Sequence, residues 1–196
     1  SYMDVNNMNF WQSKYLETST GWDLGRVSPP LKAYFDQLKD KEVKILIPGA
    51  GNAYEAEYLH EQGFTNVYVV DWASKALENL KLRMPSFPSK HLFVEDFFKI
   101  DRYFDLIIEQ TFFCALIPDL RESYVSKMHD LLAPNGKLVG LMFQLPLNDS
   151  HPPFGGSKEE YLLLFQDKFT IKTMETAHNS VGPRQDNELF VIMTAN

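Results

Sequence analysis

Short apolar runs and amphipathic stretches alternate along the chain. Val43–Pro48 and Asn66–Asp71 (NVYVVD) are apolar or β-branched runs of the length of a buried strand. His91–Glu95, Phe104–Gln110 (FDLIIEQ) and Lys137–Gln144 repeat the pattern. Between them lie segments of helical period. Leu31, Tyr34, Phe35 and Leu38 mark a helix over 31–38. Ala53–Gln62 stops at Gly63, Ala73–Met84 ends at Pro85, and Asp119–Leu132 is halted by Pro134-Asn135-Gly136. A Pro/Gly-rich loop, Pro146 to Gly156, leads into a helix near Lys158–Gln166. Two final strands near Phe169–Glu175 and Glu188–Thr194 follow one another with no helix between. Alternating strands and helices predict an α/β fold, a parallel sheet with helices on both faces. The last two strands predict an antiparallel end to that sheet.

Length and composition narrow the picture. The 196 residues predict one domain over 1–196, with a core over 43–196 and an aromatic-rich N-terminal segment over 1–30. The formal net charge is −7 and no lysine or arginine cluster stands out, so neither nucleic acid nor an anionic membrane surface is an expected partner. No run reaches the ~18 apolar residues of a membrane span. The N-terminus lacks the charged-then-apolar order of a signal peptide, and the single cysteine, Cys114, fits a reducing compartment. A cytoplasmic monomer is expected. His60, His91, His129, His151 and His178 are scattered and show no metal-ligand spacing.

The candidate chemistry starts at the first strand-to-helix turn, Pro48-Gly49-Ala50-Gly51-Asn52-Ala53-Tyr54. Gly49 and Gly51 permit a tight turn and a close backbone approach to a ligand. A dinucleotide fingerprint would place a third glycine where Tyr54 stands. Asp71 ends the second strand about 20 residues on, where a carboxylate accepts ribose hydroxyls; Trp72 follows it. A helix cap is the other reading of Asp71. Asp96 ends the third strand, beside Phe97, where a carboxylate accepts an adenine amino group; a solvated loop acid is the other reading. Glu55 is either a ligand contact or the far half of an Asn52-x-x-Glu55 capping box. Together these residues favour S-adenosylmethionine over NAD(P). An NAD(P)-dependent oxidoreductase and a non-catalytic nucleoside-binding protein are the rival classes.

A set of local motifs carries a family resemblance: Phe10-Trp11, Thr20-Gly21-Trp22-Asp23-Leu24-Gly25-Arg26, Ile47-Pro48-Gly49-Ala50-Gly51, Phe104 to Glu109, Phe112-Phe113-Cys114-Ala115, Leu131 to Gly136, and Pro152-Pro153-Phe154. Over nearly its whole length the chain resembles the thiopurine S-methyltransferase superfamily, and within it the thiol/halide methyltransferase branch. The resemblance implies a Rossmann-like class I methyltransferase fold: a seven-stranded, mostly parallel sheet with one antiparallel strand, helices on both faces and an N-terminal aromatic lid. It implies S-adenosyl-L-methionine as cofactor and a small-molecule methyl acceptor as partner. Three N-terminal aromatics close over the cofactor in that branch, usually all tryptophan; their counterparts are Trp11, Tyr15 and Trp22. Tyr15 departs from the pattern and adds a hydroxyl. Tyr15 and Glu109, at the end of strand four, are the candidate catalytic groups, with Glu109 also a candidate cofactor contact. Phe10, Arg26, Phe112, Phe113, Cys114 and Arg184 are candidates for the acceptor pocket. Thiopurine enzymes carry an arginine after strand four. The stretch Gln110-Thr111-Phe112-Phe113-Cys114 replaces it with an apolar lining, which points to a thiol, hydrosulfide or halide acceptor, with a thiopurine or other small molecule as the alternative.

Overall fold

Apolar side chains alternate between two cores on either side of one sheet. In the computed structural model, which describes residues 25–49, 51, 53–148, 150–180 and 184–196, seven strands form that sheet. The chain order is α1 (Pro29–Asp36), β1 (Ile45–Pro48), α2 (Tyr54–Glu61), β2 (Val67–Asp71), α3 (Ser74–Arg83), β3 (Leu92–Val94), β4 (Phe104–Gln110), α4 (Arg121–Leu131), β5 (Leu132–Phe143), α5 (Lys158–Phe165), β6 (Phe169–Thr176) and β7 (Glu188–Ala195). The strands lie in the order β3-β2-β1-β4-β5-β7-β6. β1 to β5 pair in parallel, and β7 runs antiparallel to both β5 and β6. The expected antiparallel end is therefore a reversed strand inserted between β5 and β6.

The two-residue period of the strands decides which core each side chain joins. Leu46, Val70, Ile107, Leu138 and Met142 face one core, with α4 and α5 packed on it. Ile45, Ile47, Val69, Leu106, Ile108, Val139 and Leu141 face the other, covered by α1, α2 and α3. Helices thus cover both faces of the sheet, as the pattern predicts.

Boundaries shift where local chemistry intervenes. α1 begins at Pro29 rather than Leu31, because proline is well placed in a first helical turn, where no N–H is needed. β3 shrinks to three residues because Ser89–His91 form a 3-10 turn. That turn buries His91, whose ring stacks on Tyr68 with centroids 4.0 Å apart and bonds the Val67 carbonyl at 3.0 Å. β5 starts at Leu132, and Asn135 takes a left-handed φ of 66° within it, where the sequence reads as a turn.

Candidate functional site

The carboxyl ends of β1, β2, β3 and β4 open onto a common cleft of about 640 Å³, open solvent at its mouth included. A cleft at the carboxyl ends of parallel strands is the usual ligand site of an α/β sheet. Gly49 and Gly51 form one wall, Asp71 and Trp72 a second, Glu95 to Phe98 a third, and Thr111, Phe112, Ala115 and Leu116 a fourth.

The glycine turn is built for close approach. Gly49 and Gly51 both hold left-handed backbone, with φ of 55° and 61°. At Gly49 the need is also steric, because an added Cβ would lie 2.1 Å from Cδ1 of Phe112. Tyr54, which occupies the third-glycine position, turns its ring to the Arg83 guanidinium, 4.5 Å from the ring centroid.

The two strand-end acids reach the cleft by similar local geometry. Asp71 Oδ1 accepts from the Ala73 backbone N–H at 2.8 Å, and Asp96 Oδ1 accepts from the Phe98 N–H at 2.9 Å. Each carboxylate is held at the head of the turn that follows it while its residue remains in the cleft wall. Asp71 is not the helix cap: α3 begins at Ser74 with Ala73 as its N-cap, and the Asp71 carboxylate instead braces the strand-to-helix turn from its place in the cleft wall. Phe97 and Phe112 meet edge to face across the cleft floor, centroids 5.0 Å apart.

Seven of the residues singled out from sequence come together here: Gly49, Gly51, Asp71, Trp72, Asp96, Phe97 and Phe112. Others lie behind the wall. Glu109 is fully buried; its Oε1 accepts from the Tyr124 hydroxyl, and its Oε2 accepts from the N–H groups of Phe112 at 2.9 Å and Phe113 at 3.0 Å. Burial pushes its carboxyl up to about 7, against the pull of those three donors. Phe113 points into the core against Tyr124 and Tyr161, with centroids 4.9 and 5.5 Å away. Cys114 is buried, its thiol donating to the Thr111 carbonyl at 3.4 Å, and burial with the nearby Glu109 charge raises its pKa far above the usual thiol value.

Glu55 and Arg184 belong to a separate buried polar cluster. Glu55 Oε2 accepts from the Ser28 backbone N–H at 3.0 Å, tying α2 to the start of α1, while α2 itself is capped by Ala53 in left-handed conformation. The Gln110 amide, oriented to satisfy both neighbours, donates to Glu55 and accepts from Arg184 at 3.2 Å. Arg184 also bonds Glu188 at 3.3 Å, and Glu188 accepts from the Ser180 hydroxyl at 2.9 Å. Burial raises the Glu188 pKa, opposed by Arg184 and Ser180. Arg26 is exposed, outside the cleft wall. Phe10, Trp11, Tyr15 and Trp22 lie outside the described residues.

The structure adds wall residues that sequence reasoning did not single out: Val70, Glu95, Phe98, Thr111, Ala115 and Leu116. Only Thr111 carries an unusual conformation, a left-handed φ of 58°. Nothing in its residue type announces that. Among the described residues no cluster of histidine, cysteine or carboxylate side chains has metal-binding geometry, and no helix is long and apolar enough to cross a membrane.

Known proteins resemble this chain in sequence and in fold. A family model described as thiopurine S-methyltransferase matches residues 6–193. The chain is 29% identical to a probable thiol methyltransferase 2 of Arabidopsis thaliana, over 95% of this chain and 84% of that protein. It is 28% identical to thiocyanate methyltransferase 1 of Brassica oleracea, over 91% of this chain and 81% of that one. Among solved structures, the Burkholderia thailandensis 1,6-didemethyltoxoflavin-N1-methyltransferase, bound to 1,6-didemethyltoxoflavin and S-adenosylhomocysteine, superposes with a TM-score of 0.74 at 18% identity, over 96% of this chain and 86% of that one. The fold is that of the class I methyltransferases.

Proposed function

The chain belongs to the thiopurine S-methyltransferase family and is a methyltransferase; from that premise we propose that it moves the methyl group of S-adenosyl-L-methionine to a small soft nucleophile, a thiol, hydrosulfide or halide-like anion. The observation that carries the cofactor half is the pair of carboxylates at successive strand ends, Asp71 and Asp96, in one cleft with the positive-φ glycines of the β1–α2 turn. Those groups fit a nucleoside. Asp71 accepts from ribose hydroxyls, Asp96 from an adenine amino group, and Gly49 and Gly51 let the backbone lie against the ligand. Tyr54, bulky and turned to Arg83, stands where a dinucleotide turn needs a glycine.

The bound cofactor supplies an electrophilic methyl group on a sulfonium. The chain's own task is to align the acceptor with it and to keep water out. On the family resemblance, Trp11, Tyr15 and Trp22 offer aromatic faces to the sulfonium cation, and their segment closes the site. Phe97, Phe98, Phe112, Ala115 and Leu116 make an apolar wall that strips water from a soft anion. A thiopurine acceptor would lack the arginine that the thiopurine enzymes carry after strand four, where Gln110, Thr111 and Phe112 stand instead, and each polar group left unpaired costs about 1–3 kcal/mol on burial. The thiol and thiocyanate activities named for the two plant relatives agree with this choice.

Calorimetry with S-adenosylhomocysteine and NADH tests the cofactor, and parallel assays with hydrosulfide, small thiols, iodide, thiocyanate and thiopurines test the acceptor. We expect S-adenosylhomocysteine to bind and NADH not to. The soft anions should exceed thiopurines in kcat/KM by at least about 10-fold, or about 1.4 kcal/mol of transition-state preference. Tight NADH binding overturns the cofactor assignment, and preferred thiopurines overturn the acceptor.

A further inference from the structure

Glu109 is a charged-type residue with no exposure, and its carboxylate oxygens meet the Tyr124 hydroxyl and the Phe112 and Phe113 N–H groups behind the cleft wall. Its surroundings explain why it is there. β4 ends at Gln110, and Thr111 then turns the chain through left-handed backbone. A β-branched residue is strained in that conformation, so neighbouring contacts must hold it. Glu109 Oε2 supplies the hold by accepting both N–H groups that follow, those of Phe112 and Phe113. The turn separates two adjacent rings. Phe113 goes into the core against Tyr124, Tyr161 and Phe165. Phe112 goes to the cleft, where it packs on Gly49 and Phe97.

We propose, building on the methyltransferase reading, that Glu109 is a positioning residue for the cofactor site: its Oε2 fixes the turn over residues 111–113, and the turn seats the Phe112 ring against the glycine turn as the cleft wall. The carboxylate touches no ligand. The titratable groups facing it are Tyr124 from α4, Cys114 from the turn and Tyr161 from α5, all with raised pKa values and uncharged near neutrality. When Glu109 holds a proton, Oε1 carries it toward the Tyr124 oxygen, and Oε2 still accepts both backbone N–H groups. The hold therefore works in either charge state. Glutamine reproduces it, with the amide nitrogen facing Tyr124 and the amide oxygen in the place of Oε2. Methionine has similar length and no oxygen.

Glu109→Gln, Glu109→Met and Tyr124→Phe, each in the full chain, separate positioning from a direct charge role. For Glu109→Gln and Tyr124→Phe we expect S-adenosylhomocysteine affinity and kcat within about 3-fold of wild type. For Glu109→Met we expect affinity to fall at least about 10-fold, while the acceptor KM at saturating S-adenosylmethionine stays within about 3-fold. Hydrogen exchange at the Phe112 and Phe113 amides should stay slow in Glu109→Gln and become fast in Glu109→Met. A loss of about 100-fold or more in kcat for Glu109→Gln with those amides still protected overturns the proposal, because the charge would then act on the reaction itself. Wild-type affinity in Glu109→Met, or a 10-fold affinity loss in Tyr124→Phe, overturns it as well. Failure of the wild type to bind S-adenosylhomocysteine counts against the methyltransferase reading instead, and the amide exchange then decides the turn without a ligand.

Discussion

Substituting Gly49 with alanine should set two walls of the cleft against each other. The new Cβ would lie 2.1 Å from Cδ1, 2.9 Å from Cγ and 3.0 Å from Cε1 of the Phe112 ring. Holding alanine in left-handed backbone costs about 1–2 kcal/mol. Forcing a methyl group into occupied space costs about 1–3 kcal/mol more. If the ring stays in place, the variant loses about 2–5 kcal/mol, a fall in Tm of about 4–20 °C for a chain of this size. The ring has one escape, since Phe112 is only half-buried and the cleft lies beside it. Swinging into the cleft removes the overlap and leaves the backbone cost, but it fills the volume a nucleoside needs. Either stability or S-adenosylhomocysteine affinity must fall, and thermal unfolding with calorimetry on the same sample shows which. Phe112→Ala removes the opposing ring. The double variant Gly49→Ala/Phe112→Ala should recover the overlap energy, giving a coupling of about 1–3 kcal/mol between the two sites. Effects that add to within about 0.5 kcal/mol would refute the contact as the cause.

Asp71→Ala should weaken S-adenosylhomocysteine binding about 10- to 100-fold, since hydrogen bonds to a charged group contribute about 1.5–3 kcal/mol each; unchanged affinity by calorimetry refutes the ribose role. Glu109, raised by burial from 4.5 to about 7, binds more protons folded than unfolded between those values, so its contribution to stability is complete below about pH 4.5 and is lost as pH rises through about 7. Denaturant unfolding at pH 5 and pH 8 should show a loss on the order of 3 kcal/mol that Glu109→Gln lacks, and parallel curves for the two proteins refute it. Cys114, buried and with its thiol pKa raised, should react with a thiol reagent only after denaturation; rapid reaction of the native protein refutes this placement.

Much of the fold is legible because each buried strand announces itself as a continuous apolar run, and because Gly63 and Pro85 stop the helices after β1 and β2 within the sequence itself. Asp71 and Asp96 are legible for a related reason: an acid directly after an apolar strand stands at the strand's carboxyl end, where α/β sheets bind ligands. Glu109 satisfies the same rule yet faces the chain rather than the cleft. The difference lies in the turn that follows, and the left-handed Thr111 is a conformation that its residue type disfavours. Phe112, Phe113 and Cys114 read as one apolar stretch, but a 3-10 turn sends neighbouring side chains in different directions, and only the first ring meets the cleft. The buried cluster of Glu55, Gln110, Arg184 and Glu188 joins residues up to 133 positions apart, a long-range pairing that no local pattern encodes.

The place of β7 also bears on how the protein is made. β5 gains its second neighbour, over Lys137 to Phe143, only from β7, and β6 pairs with β7 alone among the described strands. Both β5 and β6 are synthesised before their shared partner. A nascent chain that has released everything up to β6 can build its parallel half, yet it carries an open backbone edge on β5 and a strand with nowhere to dock. Unpaired edges are templates for association with other chains. Residues 188–195 close both edges in one step, so the interval between making β6 and making β7 is the stretch of biosynthesis in which the chain most needs protection from its neighbours.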